Sequence, residues 1–390
     1  MMRAAAINHH NDTRGRLSKC AWLLTIGVIL ACATGCIPER PERPATQPMT
    51  QAHDVIYAAL PATVRGRNGW ADDLYSVFSA LDITPTPAHV CAVVAVAEQE
   101  SSLSVDPVIP GLAQIAWKAI DQHAAHADIP TSVVHEVLKL KSPNGLTYAA
   151  RIDAARTEKD LSDIFEDFTG SIPLGRTLFA SWNPIHTRGP MQVNVAFAHK
   201  FERVKPYPYP LTSSLDEELF TRRGSLYFGT AHLLAYSPPY DSYLYRFADY
   251  SAGQFASRNA AFQRAVSTAA GVAVIPDGAL IVPGAPISQP SETERVARKL
   301  AGRLRLDQEQ IHAALAQDRD ASFQETQLYQ RVFELAAQRD IHSLPRASLP
   351  RINLQGPKLH THLTTAWYAQ HVENRFDSCL ARVQGRSASR

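Results

Sequence analysis

The sequence predicts a mainly α-helical fold with one small β element. Three observations carry that expectation. Apolar residues recur at helical spacing in one segment after another, and prolines or Pro/Gly turns separate those segments. The strongest hairpin signal in the chain is a single Pro276-Asp277-Gly278 turn between β-branched runs, in "GVAVIPDGALIVPG". At 390 residues the chain can bury one large core or two ordinary ones. With 45% hydrophobic and 19% charged residues it reads as globular, and a net charge of +2 supplies no field for nucleic acid or an acidic partner.

The N-terminus comes first in order. Arg3, Arg14, Arg16 and Lys19 precede "AWLLTIGVILACAT", an apolar run too short to span a bilayer comfortably and shaped like the h-region of a signal peptide. The following "ATGC" resembles a bacterial lipobox, with Ala33 where leucine is usual. It makes Cys36 the expected lipidation site, with Cys32 in "ILAC" a second candidate and an ordinary cleaved signal the alternative. Ile37, not Asp, follows Cys36. The expected location is therefore the outer membrane, lipid-anchored and facing the periplasm. Residues 1–35 read as the leader and 36–51, which contain "IPERPERPATQPMTQ", as an extended tether. Cys20 and Cys32 leave with the leader, so Cys91 and Cys379 remain. They form either one disulfide in an oxidising compartment or two buried thiols.

Helical segments follow. "GWADDLYSVFSAL" sets Trp70, Leu74, Val77, Phe78 and Leu81 on one face. Pro85 and Pro87 break that pattern, and Pro87 suits the first position of the next helix. Between Ile109 and Trp182, "TSVVHEVLKLK" and "KDLSDIFEDF" are amphipathic and separated by the turn "SPNG". "SLYFGTAHLLAY" and "YRFADYSAGQFASRNAAFQRAVSTAAG" read as helix, and the hairpin is expected at 271–284. Beyond it, Ser291 with Glu294 and Ser322 with Glu325 fit capping boxes.

One stretch carries candidate chemistry. In "PAHVCAVVAVAEQESS", Val90, Val93, Val94 and Ala97 share a helical face, and three more residues bring Glu100 onto it while Glu98 falls off. A carboxyl ending an apolar stripe is partly desolvated, which favours the protonated form that a general acid needs. Glu98 reads as solvated. The competing interpretation is a capped or ion-paired helix end.

"AVAEQESSLSVDP" resembles the first motif of lytic transglycosylases with a lysozyme-like fold. "RGPMQV" (Arg188–Val193), "YFGTAHLL" (Tyr227–Leu234) and "ADYSAG" (Ala248–Gly253) are similar to the later motifs, in the same order. Ser251 replaces the usual Asn, His232 stands where Tyr is usual, and Glu100 lies 92 positions before Gln192. The resemblance implies a lysozyme-like helical domain over 52–270 with a large helical insertion at about 108–182. A β-hairpin and C-terminal helical extension would follow over 271–390. It also implies that Glu100 is the catalytic acid and then base, that Ser101 supports it or the sugar, that Met191 and Gln192 line the cleft, and that Tyr250 orients the carboxyl.

Over nearly all of the mature chain, "AVAEQES", "PGLAQIAW", "KSPNG", "RGPMQV", "YRFADYSAG", "SRNAAFQ" and "LTTAWYA" resemble the YaiW-type outer-membrane lipoproteins. That family implies an envelope role associated with peptide uptake and carries no assigned chemistry. The expected partners are peptidoglycan glycan strands or peptide, with the membrane reached through the N-terminal lipid. No cofactor is implied. The spacings of His123 with His126 and of His360 with His362 read as surface histidines, not metal ligands.

Overall fold

The computed structural model describes residues 49–173, 183, 185–211, 213–340, 344–354 and 363–387. The leader, Cys36, most of the tether, His360 and His362 lie outside them. Seventeen α-helices, one 3₁₀ turn and one two-stranded hairpin among the described residues make the chain mainly α.

α1 (Met49–Ala59) and α2 (Arg67–Leu81) pack against α3 (Pro87–Ser101). α1 begins at Met49, so the last residues assigned to the tether are helical, because Ala52, Ile56 and Ala59 recur at helical spacing and reach the core. On α2 the five residues of the apolar face are all buried. α3 starts at Pro87, where a missing N–H costs nothing, and Thr86 caps it by accepting from the His89 N–H at 3.1 Å. Every residue from Val90 to Ala97 is buried, so α3 has no polar face and runs through the middle of the main core.

α4 (Leu112–His126), α5 (Thr131–Val137), α6 (Tyr148–Ala154) and α7 (Glu158–Gly170) close around a small core of their own, with Leu112, Tyr148, Ile152, Leu161 and Ile164 at its centre. They occupy most of 108–173. The hairpin then pairs β1 (Thr187–Arg188) with β2 (Val193–Asn194) through a turn in which the Gln192 N–H donates to the Gly189 carbonyl at 2.9 Å.

This is not where the sequence placed it. Segment 271–284 contains no strand. Its turn forms, with Asp277 accepting from the Ala279 N–H, but Gln263 then takes up the loop's polar groups: its amide donates to Asp277 and accepts from the Gly278 N–H. Val274 and Leu280 go into the core beside Gln263's helix instead of pairing across the turn. Packing against a helix therefore overrode the strand preference of the two β-branched runs.

α8 (Val195–Val204), α9 (Leu215–Glu218), α10 (Arg222–Leu234) and α11 (Tyr243–Ala252) follow, and α10 and α11 pack into the main core. Asp73 ties α2 to α10 by accepting from Arg222 at 2.6 Å and Arg223 at 3.1 Å. α12 (Ala256–Ala270), α13 (Glu292–Arg298), α14 (Ala301–Leu304), α15 (Gln308–Leu315) and α16 (Gln327–Ala337) enclose a second large core centred on Phe262, Phe323 and Tyr329. Ser291 does cap α13, but the Glu294 carboxylate turns instead to Arg298 and His312. Ser322 caps nothing. It sits inside the 3₁₀ turn Ala321–Glu325, and Thr326 caps α16.

α17 (Thr365–Ser387) returns to the main core and packs along α3 and α11. Cys379 on α17 and Cys91 on α3 are joined by a disulfide that spans 288 positions of sequence, and both are fully buried. A cross-link closing so long a loop restricts the unfolded chain strongly. Replacing both cysteines by alanine is expected to lower stability by about 3–5 kcal/mol, read as a lower denaturant midpoint. An unchanged midpoint contradicts this.

Candidate functional site

α3 stops abruptly. Ser102 (φ 53°) and Leu103 (φ 59°) are consecutive left-handed residues, and their N–H groups close on the carbonyls of Glu98 and Ala97. Left-handed backbone costs roughly 1–2 kcal/mol for each non-glycine residue. Burial of the Leu103 side chain offsets part of it. The stop leaves Glu100, half-buried, on the wall of a groove of ≈ 1370 Å³, which Gln192, His232, Tyr250, Trp367 and Tyr368 also line.

Glu100 is held. Its Oε1 accepts from the Tyr368 hydroxyl at 2.5 Å. Burial, and then the neighbouring Glu100, push the Tyr368 phenol well above the ordinary tyrosine range, so it keeps its proton and donates. Farther along α17, Arg375 donates to Gln99 at 3.0 Å and to Glu98 at 3.2 Å, and Arg382 lies 3.9 Å from Glu98. Glu98 is therefore ion-paired, not solvated as its place off the apolar face suggested. The helical-face argument failed here because α17 covers a side of α3 that the sequence reading left to water.

The structure divides the remaining site residues. Tyr250 lines the groove, but its hydroxyl donates to the Met191 carbonyl at 2.7 Å. The tyrosine that holds Glu100 is Tyr368. Gln192 also lines the groove. Its Oε1 accepts from Thr187 at 2.9 Å and its Nε2 donates to Glu158 at 2.7 Å, so it braces the hairpin against α7.

Met191 is fully buried and its side chain packs on Gly229 of α10, where a Cβ would come within 2.5 Å of Sδ. Met191 is thus core, not cleft wall. Ser101 is buried as well and donates its hydroxyl proton to the Ala97 carbonyl at 2.9 Å, leaving none for Glu100 or a sugar. Asp249 of "ADYSAG" is buried and structural. It accepts from Tyr236, Tyr240 and the N–H groups of Phe255 and Ser257, fixing the start of α12, while desolvation raises its pKa.

Sequence reasoning missed Tyr368 and Trp367. The only available signal was the aromatic pair in "LTTAWYA", 268 positions from Glu100 in the case of Tyr368. His123 and His126 are exposed, and no cluster of three or more His, Cys, Asp or Glu able to hold a metal occurs among the described residues.

His232 is sandwiched between Phe197 (4.5 Å between ring centroids) and Tyr250 (4.9 Å). Burial lowers its pKa to about 4, so at neutral pH it is an uncharged wall of the groove. In the unfolded chain an imidazole takes a proton near pH 6.5. The folded one refuses it until about pH 4, so stability falls as pH drops through that window. His232→Phe is expected to flatten the fall in melting temperature between pH 6.5 and 4 relative to the parent. Parallel curves contradict the assignment.

No solved structure matches the chain. The uncharacterized protein YaiW of Escherichia coli (strain K12) is 44% identical over 363 residues, 92% of this chain and 97% of that protein. Residues 63–382 match the family described as "Protein of unknown function (DUF1615)". That span contains Glu100, Gln192, Tyr250 and Tyr368, and the chain belongs to this family.

Proposed function

We propose that this protein is a lipid-anchored outer-membrane lipoprotein, facing the periplasm, whose groove holds peptidoglycan glycan strands and cleaves them as a lytic transglycosylase. The observation that carries the reading is the position of Glu100: a half-buried carboxyl, held by a tyrosine hydroxyl, on the wall of a groove larger than a small-molecule pocket. The disulfide supports an oxidising compartment. The "ATGC" signal supports the lipid anchor.

The chemistry needs one carboxyl acting twice. Protonated Glu100 gives its proton to the glycosidic oxygen as the C1–O bond breaks. The resulting carboxylate takes the proton of the same sugar's 6-hydroxyl as O6 bonds to C1, closing an anhydro ring. No water is consumed, and Glu100 ends protonated. The paired carboxylates of ordinary glycosidases are unnecessary because the nucleophile belongs to the substrate. Glu98 is occupied by Arg375 and is absent from the groove wall; of the carboxyls that share the wall with Glu100, Glu158 accepts from Gln192 and Asp277 from Gln263. Tyr368 fixes which oxygen of Glu100 faces the bond.

A second reading, a non-catalytic lipoprotein that binds glycan or peptide in the same groove, is favoured by the loss of Ser101 and Met191 to internal packing. Purified protein incubated with sacculi distinguishes them. Mass spectrometry is expected to find anhydro-sugar ends, reduced at least about a hundredfold in Glu100→Gln. Intact sacculi that still retain the protein favour the second reading.

A further inference from the structure

The first turn of α17 brings two adjacent aromatic side chains to the groove. Tyr368 is 6% exposed and holds Glu100. Trp367 lines the same groove and is 36% exposed. An indole left this open serves no core. It is nevertheless fixed: His371 stacks on it, ring centroids 3.8 Å apart and planes 29° from parallel. The Trp367 backbone N–H donates to Thr364 Oγ1 at 3.1 Å, and a ring nitrogen of His371 lies 2.8 Å from the Trp367 carbonyl. The result is a flat apolar ring, backed on one face and braced at its base, beside the residue that holds the acid.

Two neutral amides line the same groove, together with charged side chains that include Lys200 and Arg203. Gln99 keeps its amide NH₂ after its Oε1 accepts from Arg375. Asn194 keeps its NH₂ after its Oδ1 accepts from the Phe197 N–H to cap α8. A flat apolar face in one groove with amide donors matches a sugar ring, which offers a C–H face together with hydroxyl and acetamido oxygens. The geometry points to Trp367 as a stacking platform for an N-acetylhexosamine ring of the bound strand, directly adjacent to Glu100's subsite. This rests on the glycan reading of the groove but not on cleavage.

Calorimetric titration of the whole protein with chitotetraose, a peptide-free oligomer of N-acetylglucosamine, tests it. The parent binds. Trp367→Ala weakens binding about tenfold, as expected for losing one aromatic stacking contact. Trp367→Phe stays within about threefold of the parent, and both variants melt with the parent. Binding by Trp367→Ala as tight as the parent's overturns the platform, and so does a parent that does not bind chitotetraose. In either case anhydro ends released from sacculi would leave the proposed function standing. Trp367-dependent binding without such ends removes the cleavage reading and keeps the platform.

Discussion

The contact between α3 and α17 is the constraint on which the site depends. The two helices come from opposite ends of the described chain, and three links along their length hold them in register: Glu100 with Tyr368, Glu98 and Gln99 with Arg375, and Cys91 with Cys379. The covalent link lies in the core and the polar links lie toward the groove. This order follows from solvation: a disulfide is comfortable where nothing polar can be satisfied, whereas carboxylates need donors wherever water is scarce. α17 supplies a donor to each carboxyl, Arg375 to Glu98 and Tyr368 to Glu100.

The groove rim is built from backbone that ordinary sequences avoid. Among the described residues seven non-glycine positions have positive φ, and four of them are Ser102, Leu103, Gln192 and Phe255. The first two end the helix that carries Glu100. The third lines the groove, and the fourth joins α11 to α12 beside it. Such conformations persist only where the surroundings over-determine them, and they gather at sites of function. Here burial of Leu103 and Phe255, the brace from Gln192 to Glu158 and the carboxylate of Asp249 supply that determination.

Legibility from sequence tracked how local the physics was. The face of α2, the first position of α3 and the helical segments of α5 and α7 depend on residues within a few positions of one another, and they could be read directly. Glu100 could be singled out because the apolar run before it is long. The hairpin was misplaced because the turn at Pro276–Gly278 is local, whereas the helix that captures its polar groups is not. Ser101 and Met191 carry the right residue types, but the backbone around them turns the first to its own carbonyl and packs the second under Gly229. Tyr368 was out of reach: no periodicity links it to Glu100, and only the tertiary path of α17 does.

The central claim is that a strand lies across the crossing of α3 and α17. Hydrogen–deuterium exchange with and without saturating chitotetraose tests it most directly. The account predicts slower exchange in residues 98–103 and 365–371, at the last turn of α3 and the first of α17. Slowing confined to α4–α7 or to the second core, with these two turns unaffected, would contradict it.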